Sequence, residues 1–251
     1  MSKKWIIAIV AAVVVVAAGF TVWYLVFRDD SPAAVSIDRA TDALDQSSGK
    51  GSGKGSGSSS SSSKSSSLDG TWTVDDSIGS FSDFTSSFAG FRVQEELASI
   101  GAKTAVGRTP DVTGGISIDG TTITEASFEV DMTTLTTDSG LRDNAIRNQA
   151  IETSRFPTAI FKTTKPIDLG AIPAEGQEIT VDATGDLTLH GVTKSVTIPL
   201  TAKRQGDVIA VVGSLEIPFA DYSINKPSSV AVLSVEDKGV MEVQLFLTRT
   251  S

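Results

Sequence analysis

A chain of 251 residues with a formal net charge of −9, a single histidine and no cysteine carries few of the groups from which catalytic and metal sites are built. Without thiols there are no disulfides, thiolate nucleophiles, lipidated cysteines or cysteine-based zinc centres, and one imidazole has no second with which to share a metal. From residue 68 onward 14 basic and 25 acidic side chains leave a charge of −11, which argues against nucleic acid or an anionic bilayer as the partner of that region.

Residues 1–4 place Lys3 and Lys4 ahead of an uncharged apolar run at residues 5–27. At a rise of about 1.5 Å per residue, about 20 apolar residues cross a hydrocarbon core of about 30 Å, so this run is expected to be a transmembrane helix. Trp5 at one end and Trp23 and Tyr24 at the other stand where interfacial aromatics sit. The two lysines assign residues 1–4 to the cytoplasm and the rest of the chain to the outside of a single-pass cell-membrane protein. The alternative is a cleaved signal peptide with Ala17, Ala18 and Gly19 at the cleavage site; against it, the apolar run continues for eight residues beyond Gly19. Residues 28–67 read as a flexible linker, because their terminal run SSGKGSGKGSGSSSSSSKSSS has no side chain to bury. About 35 residues of such chain reach roughly 30–35 Å without orienting what they hold. The Gly-Lys pairs are not phosphate loops, since neither lysine is followed by Ser or Thr and no strand precedes them.

Residues 68–251 read as one β-rich domain, with a first strand at residues 72–75. Phe81, Phe84, Phe88 and Phe91 then recur at helical spacing among poor helix formers, and helix and strand both stay open there. Ile116 and Ile118, a turn at Asp119-Gly120, and Ala126, Phe128, Val130 and Met132 alternating with polar neighbours form a hairpin whose Phe128 face points inward. Between residues 138 and 154 the pattern becomes helical. Leu141, Ala145 and Ile146 share one side, Ser139 can cap the start, and Pro157 forbids continuation, which predicts one short helix. Residues 158–164 return to strand with Phe161 inward, because Lys162 faces water.

Ile179, Val181 and Ala183 lead into GDLTLHGVTKSVTIPL at residues 185–200. Leu187 and Leu189 on one arm, and Val196, Ile198 and Leu200 on the other, alternate with polar residues. The link at residues 190–194 contains Gly191, which supplies the positive φ that a hairpin needs. A turn at residues 205–207 sends the chain back through Ile209, Val211, Leu215, Ile217 and Phe219, and a last strand carries Met241, Val243, Leu245 and Leu247. About eight strands with one apolar face each, and almost no helix to cover a second face, predict an antiparallel sheet closed into a barrel. With about eight strands the interior is either filled by side chains or holds one small ligand, and periodicity does not choose between them.

The run GDLTLHGVTK at residues 185–194 resembles the signature hairpin of the YceI-like family, and Leu141-Arg142-Asp143, Ile146-Arg147 and the run FPTAIF at residues 156–161 resemble a second family motif. The resemblance covers residues 68–248 and departs from the usual pattern at Ala145, where many members carry a histidine. It implies a lipocalin-like antiparallel barrel outside the cytoplasm, with a cavity for a polyisoprenoid-type lipid.

No Gly-x-Ser-x-Gly elbow is present, and His190 sits in what reads as an exposed turn, bonding a nearby backbone group. Asp221 beside Tyr222, and Glu95 beside Glu96, read as solvated faces. Arg142 and Asp143 read as a loop clamp, with contact to a lipid head group as the alternative. No catalytic residue, metal or cofactor is expected. The favoured function is a membrane-tethered, non-enzymatic carrier of a polyisoprenoid or isoprenoid-quinone-like amphiphile; the competing one is a ligand-free surface adhesion or assembly domain with a solid core. Phe128, Phe161, Leu187, Leu189 and Met241 are expected to converge on the ligand, with Phe84, Phe88 and Leu141 at the mouth. The expected partners are that lipid and the membrane, not nucleic acid, and a homodimer is left open.

Overall fold

The computed structural model describes residues 31–49, 67–98, 101–227 and 232–250; the expected membrane span at residues 5–27 and the Gly/Ser-rich run at 50–66 lie outside them. The described residues hold the strands β1 (Gly70–Val74), β2 (Phe88–Leu97), β3 (Gly101–Thr109), β4 (Val112–Asp119), β5 (Thr122–Asp131) and β6 (Thr158–Thr163). They continue with β7 (Ile167–Asp168), β8 (Glu178–Leu189), β9 (Val192–Gln205), β10 (Val208–Pro218), β11 (Val232–Val235) and β12 (Lys238–Arg249). Eight of them close a barrel in the order β1, β4, β5, β6, β8, β9, β10, β12 and back to β1, with every neighbouring pair antiparallel. The closed, all-antiparallel barrel agrees with the sequence reading. It leaves few unpaired backbone groups at a sheet edge.

Closure is uneven along the barrel. One side of β12 pairs with β10 over most of its length, while its other side is shared between β2 at residues 240–244 and β1 at residues 247–249. The three-stranded sheet β3–β2–β11 therefore extends past one end of the barrel. That end, here the upper one, also carries the β8–β9 turn. The lower end carries the turns at Gly120 and Gly206.

The β8–β9 turn is tighter than the sequence reading. Only His190 and Gly191 form it, at φ of 51° and 73°, and Val192, Thr193 and Lys194 already pair with Leu189, Thr188 and Leu187. Two successive positive φ values are the two-residue hairpin geometry that matches strand twist.

The segment before residue 50 departs most from expectation. Helix α1 (Ile37–Gly49) occupies what reads as linker, and it is packed against the outside of the barrel. Ile37, Ala40, Ala43 and Leu44 are buried against Ala210, Val212 and Phe246. Apolar residues at positions 37, 40 and 44 mark one face of a helix, a signal short enough to be hidden by the Gly/Ser-rich composition that follows it. Fully burying Ile37 and Leu44 contributes about 1.5–3 kcal/mol each toward holding the helix against the wall.

Helix α2 (Gly140–Ala145) is the short helix expected, continued by a π-helical turn at Ile146–Ala150. Ser139 precedes it without a side-chain capping bond. Thr137 and Asp143 fix the entry instead: Asp143 Oδ1 accepts from the Thr137 amide at 2.8 Å and from its hydroxyl at 2.7 Å.

Candidate functional site: the barrel interior

Alternate residues of the barrel strands surround a cavity of about 280 Å³ that runs from the lower turns to the upper rim. Phe128, Phe161, Leu187, Leu189 and Met241, the five expected from alternation, all line it. Register explains the convergence: Phe128 stands opposite Phe161 across β5–β6, and Phe161 opposite Leu187 across β6–β8. Directly opposed residues share a face of the sheet. Phe91 joins them from β2, although its segment was ambiguous between helix and strand. Toward the lower end the wall is made by aliphatic residues such as Ile118, Ile123, Ile179, Ile209 and Leu247. The interior is therefore not filled by its own side chains.

Two glycines shape the wall. A Cβ on Gly107 would stand 2.3 Å from Phe91 Cε1, and one on Gly185 would stand 2.8 Å from Phe161 Cε2. The Phe91 ring takes the space beside Gly107, and at Gly185 a Cβ would also stand 2.3 Å from the Lys162 carbonyl oxygen, so neither position has room for a side chain.

Polar groups touch this space only near its ends. Gln177, Lys203 and Arg204 stand at the lower end, and Glu95, Arg142 and Asn225 at the upper. Glu95 is 7% exposed and is held by Arg142, which also pairs with Asp138. This corrects the reading of Glu95 as a solvated residue: its position on β2 turns it into the mouth, where burial demands a partner. Arg142 is thus a clamp between α2 and β2, and two carboxylates already answer its charge.

Three residues expected at the mouth do not line the cavity. Leu141 is 84% exposed at the upper rim, outside the cavity, because α2 turns Arg142 and Ile146 toward the barrel instead. Phe84 and Phe88 lie on the outer side of the sheet. There the Arg108 guanidinium stacks over both rings, 4.5 and 4.3 Å from their centres. Arg108 and Glu242 are 3% and 1% exposed, and Glu242 Oε1 accepts from Arg108 Nε at 2.9 Å and from Nη2 at 2.6 Å. Burial pulls the Arg108 guanidinium below its ordinary range, and Glu242 opposes that pull. The segment ahead of α1 covers this pair: Ala33 O accepts from Arg108 Nη2 at 2.8 Å, and Pro32 O from Arg92 Nη1 at 2.5 Å.

His190 is buried, not exposed. Its Nδ1 meets Tyr222 O at 2.9 Å, its Nε2 meets Glu152 Oε2 at 3.0 Å, and its ring packs edge-on against Phe156 at 4.5 Å. Hydrogen bonds from Arg155 first and His190 second hold the Glu152 carboxyl below its usual range. The backbone bond was expected from sequence; the carboxylate was not. A Cβ on Gly191 would stand 2.5 Å from Phe156 Cε1, so the His-Gly turn and the Phe156 segment are matched surfaces. The two sequence motifs far apart in the chain are one structural clamp at the upper end.

A family model for the YceI-like domain matches residues 72–247. A UPF0312 protein of Vibrio parahaemolyticus is 31% identical over 154 residues, spanning 56% of this chain and 76% of the relative. Another, of Shewanella denitrificans, is 30% identical over 159 residues, 60% of this chain and 80% of the relative. Among solved structures, a polyisoprenoid binding domain from Saccharophagus degradans implicated in plant cell wall breakdown superposes with a TM-score of 0.55 at 24% identity, covering 71% of this chain and 98% of that one. At that identity the likeness speaks for the fold.

Proposed function

The chain belongs to the YceI-like family, and on that premise we propose that its barrel holds one long apolar amphiphile, a polyisoprenoid or an isoprenoid-quinone-like lipid, outside the membrane to which residues 5–27 anchor it. The observation that carries this reading is the interior itself: a channel of about 280 Å³ lined from end to end by apolar side chains, with polar groups confined to its ends. That volume, about 280 Å³, falls just below the roughly 300–1,000 Å³ of small-molecule sites. A chain lying along the barrel needs no charged anchor, because each buried CH₂ contributes about 0.8 kcal/mol. Arg142 at the upper mouth is balanced by Glu95 and Asp138, a locally acidic setting that favours an uncharged head group there over a diphosphate. The protein acts as a binding module, without chemistry of its own.

The test is organic extraction of the full chain purified from its own membrane, followed by mass spectrometry. About one isoprenoid amphiphile per chain is the expected result for a single-site binder. A chain that repeatedly yields no lipid returns the ligand-free adhesion or assembly reading.

A further inference from the structure

We propose that the upper mouth of the barrel faces the bilayer, with Leu141 and Leu233 seated in its interface, so that lipid enters and leaves directly between membrane and cavity. The proposal rests on the reading of residues 5–27 as an anchor, and the path of the next segment gives it direction.

Ser31 and Pro32 are held by Arg92, whose Nη2 donates to Ser31 Oγ at 3.3 Å. Arg92 stands opposite Val240, near the upper end of β12. From there the segment descends the outer wall: Ala33 meets Arg108, α1 covers Ala210, Val212 and Phe246, and Asp45 accepts from Gln205 at the lower turn. The chain after residue 66 resumes at the same lower end, where Asp69 Oδ1 accepts from the Gly120 amide at 2.6 Å. The Gly/Ser-rich run therefore joins two points at the lower end and does not separate domain from anchor. Only Arg28, Asp29 and Asp30 stand between Phe27 and Ser31. Four peptide steps reach at most about 14 Å. A domain docked at Ser31 cannot drift freely from the bilayer, and its upper end is the one nearest.

The surface of that end fits a lipid interface. Among the described residues only Leu141, Ile172 and Leu233 are exposed large hydrophobics, and the two most exposed, at 84% and 63%, flank this mouth. Leu141 adjoins Arg142, which binds Glu95, and Glu95 pairs across β2–β11 with Val235, two residues from Leu233. Val235 and Arg142 both line the cavity. Apolar side chains on a cavity rim have a physical use when that rim meets acyl chains. The acidic character of the domain makes the attraction hydrophobic, so anionic lipid is not required.

The absence of cysteine makes the test direct. Leu141→Cys, Leu233→Cys, Ile172→Cys and Val15→Cys are made singly in the full chain, labelled with a polarity-sensitive fluorophore and reconstituted into phosphatidylcholine vesicles with or without nitroxide-labelled acyl chains. The first two should emit at shorter wavelength than Ile172→Cys at the lower end and lose most of their emission to the nitroxide, with no gain from added phosphatidylglycerol. If Val15→Cys is quenched while positions 141 and 233 behave like 172, the anchor stands and the proposal is overturned. If Val15→Cys is unquenched, the anchor reading fails and the proposal fails with it.

Discussion

The two faces of β10 and β12 are both shielded from water, but against different things. On the outer face Ala210, Val212 and Phe246 meet α1 at close range, and Ala40 and Ala210 are both fully buried. Polar residues of that face have protein partners as well: Arg108 donates to Glu242 Oε1, leaving Oε2 buried without a partner, and Gln244 Nε2 donates to Ser86 O at 2.9 Å. On the inner face Ile209, Val211, Met241, Val243 and Leu245 stand around a cavity, with no polar residue among them. One face is specified atom by atom, as protein cores are. The other is specified only as apolar, which suits an occupant whose chain slides and bends.

That contrast predicts where substitutions cost most. The largest effect belongs to the outer face: Arg108→Met strands Glu242 without its partner and should lower stability by about 3–5 kcal/mol, while Arg108→Met combined with Glu242→Leu should restore most of it. Urea unfolding of both proteins checks this, and a double variant as weak as the single one would break the account of that face. Next comes Ala40→Asp, which drives a carboxylate against Ala210. A loss of about 2–4 kcal/mol is expected, together with protease cleavage ahead of residue 50 while the barrel keeps its β-sheet circular dichroism. A barrel that melts along with α1 would mean that the outer covering and the sheet are one cooperative unit.

The sequence made the inner face more legible than the outer one. Strict alternation in β5, β6, β8 and β12 assigns Phe128, Phe161, Leu187, Leu189 and Met241 to the inner face, because a one-residue change of register would put all of them in water. The outer face has no such rule. Its signals were present in the unbroken apolar run at residues 208–212 and in the helical spacing of Ile37, Ala40 and Leu44, but each looks ordinary until the other is brought beside it. Glu95, His190 and Arg108 were unreadable for a related reason. A charged or polar residue is assigned to water unless its partner is known, and their partners Arg142, Glu152 and Glu242 lie 47, 38 and 134 residues away. Leu141 misled in the opposite sense, since an apolar residue on a short helix is expected to point inward.

The smallest stability effect carries the most direct test of the central claim, that the interior is held open for a lipid. Leu189→Gln introduces an amide at the cavity wall near the upper mouth, where Leu189 is half-buried. Lipid content by extraction and the denaturation midpoint are measured on the same preparation of the full chain, beside the unaltered protein. The account predicts that bound lipid falls sharply and that stability drops by less than about 2 kcal/mol, because the amide faces ligand space and not packed protein. A loss well beyond that, in a protein that carries no lipid before the substitution, would contradict it.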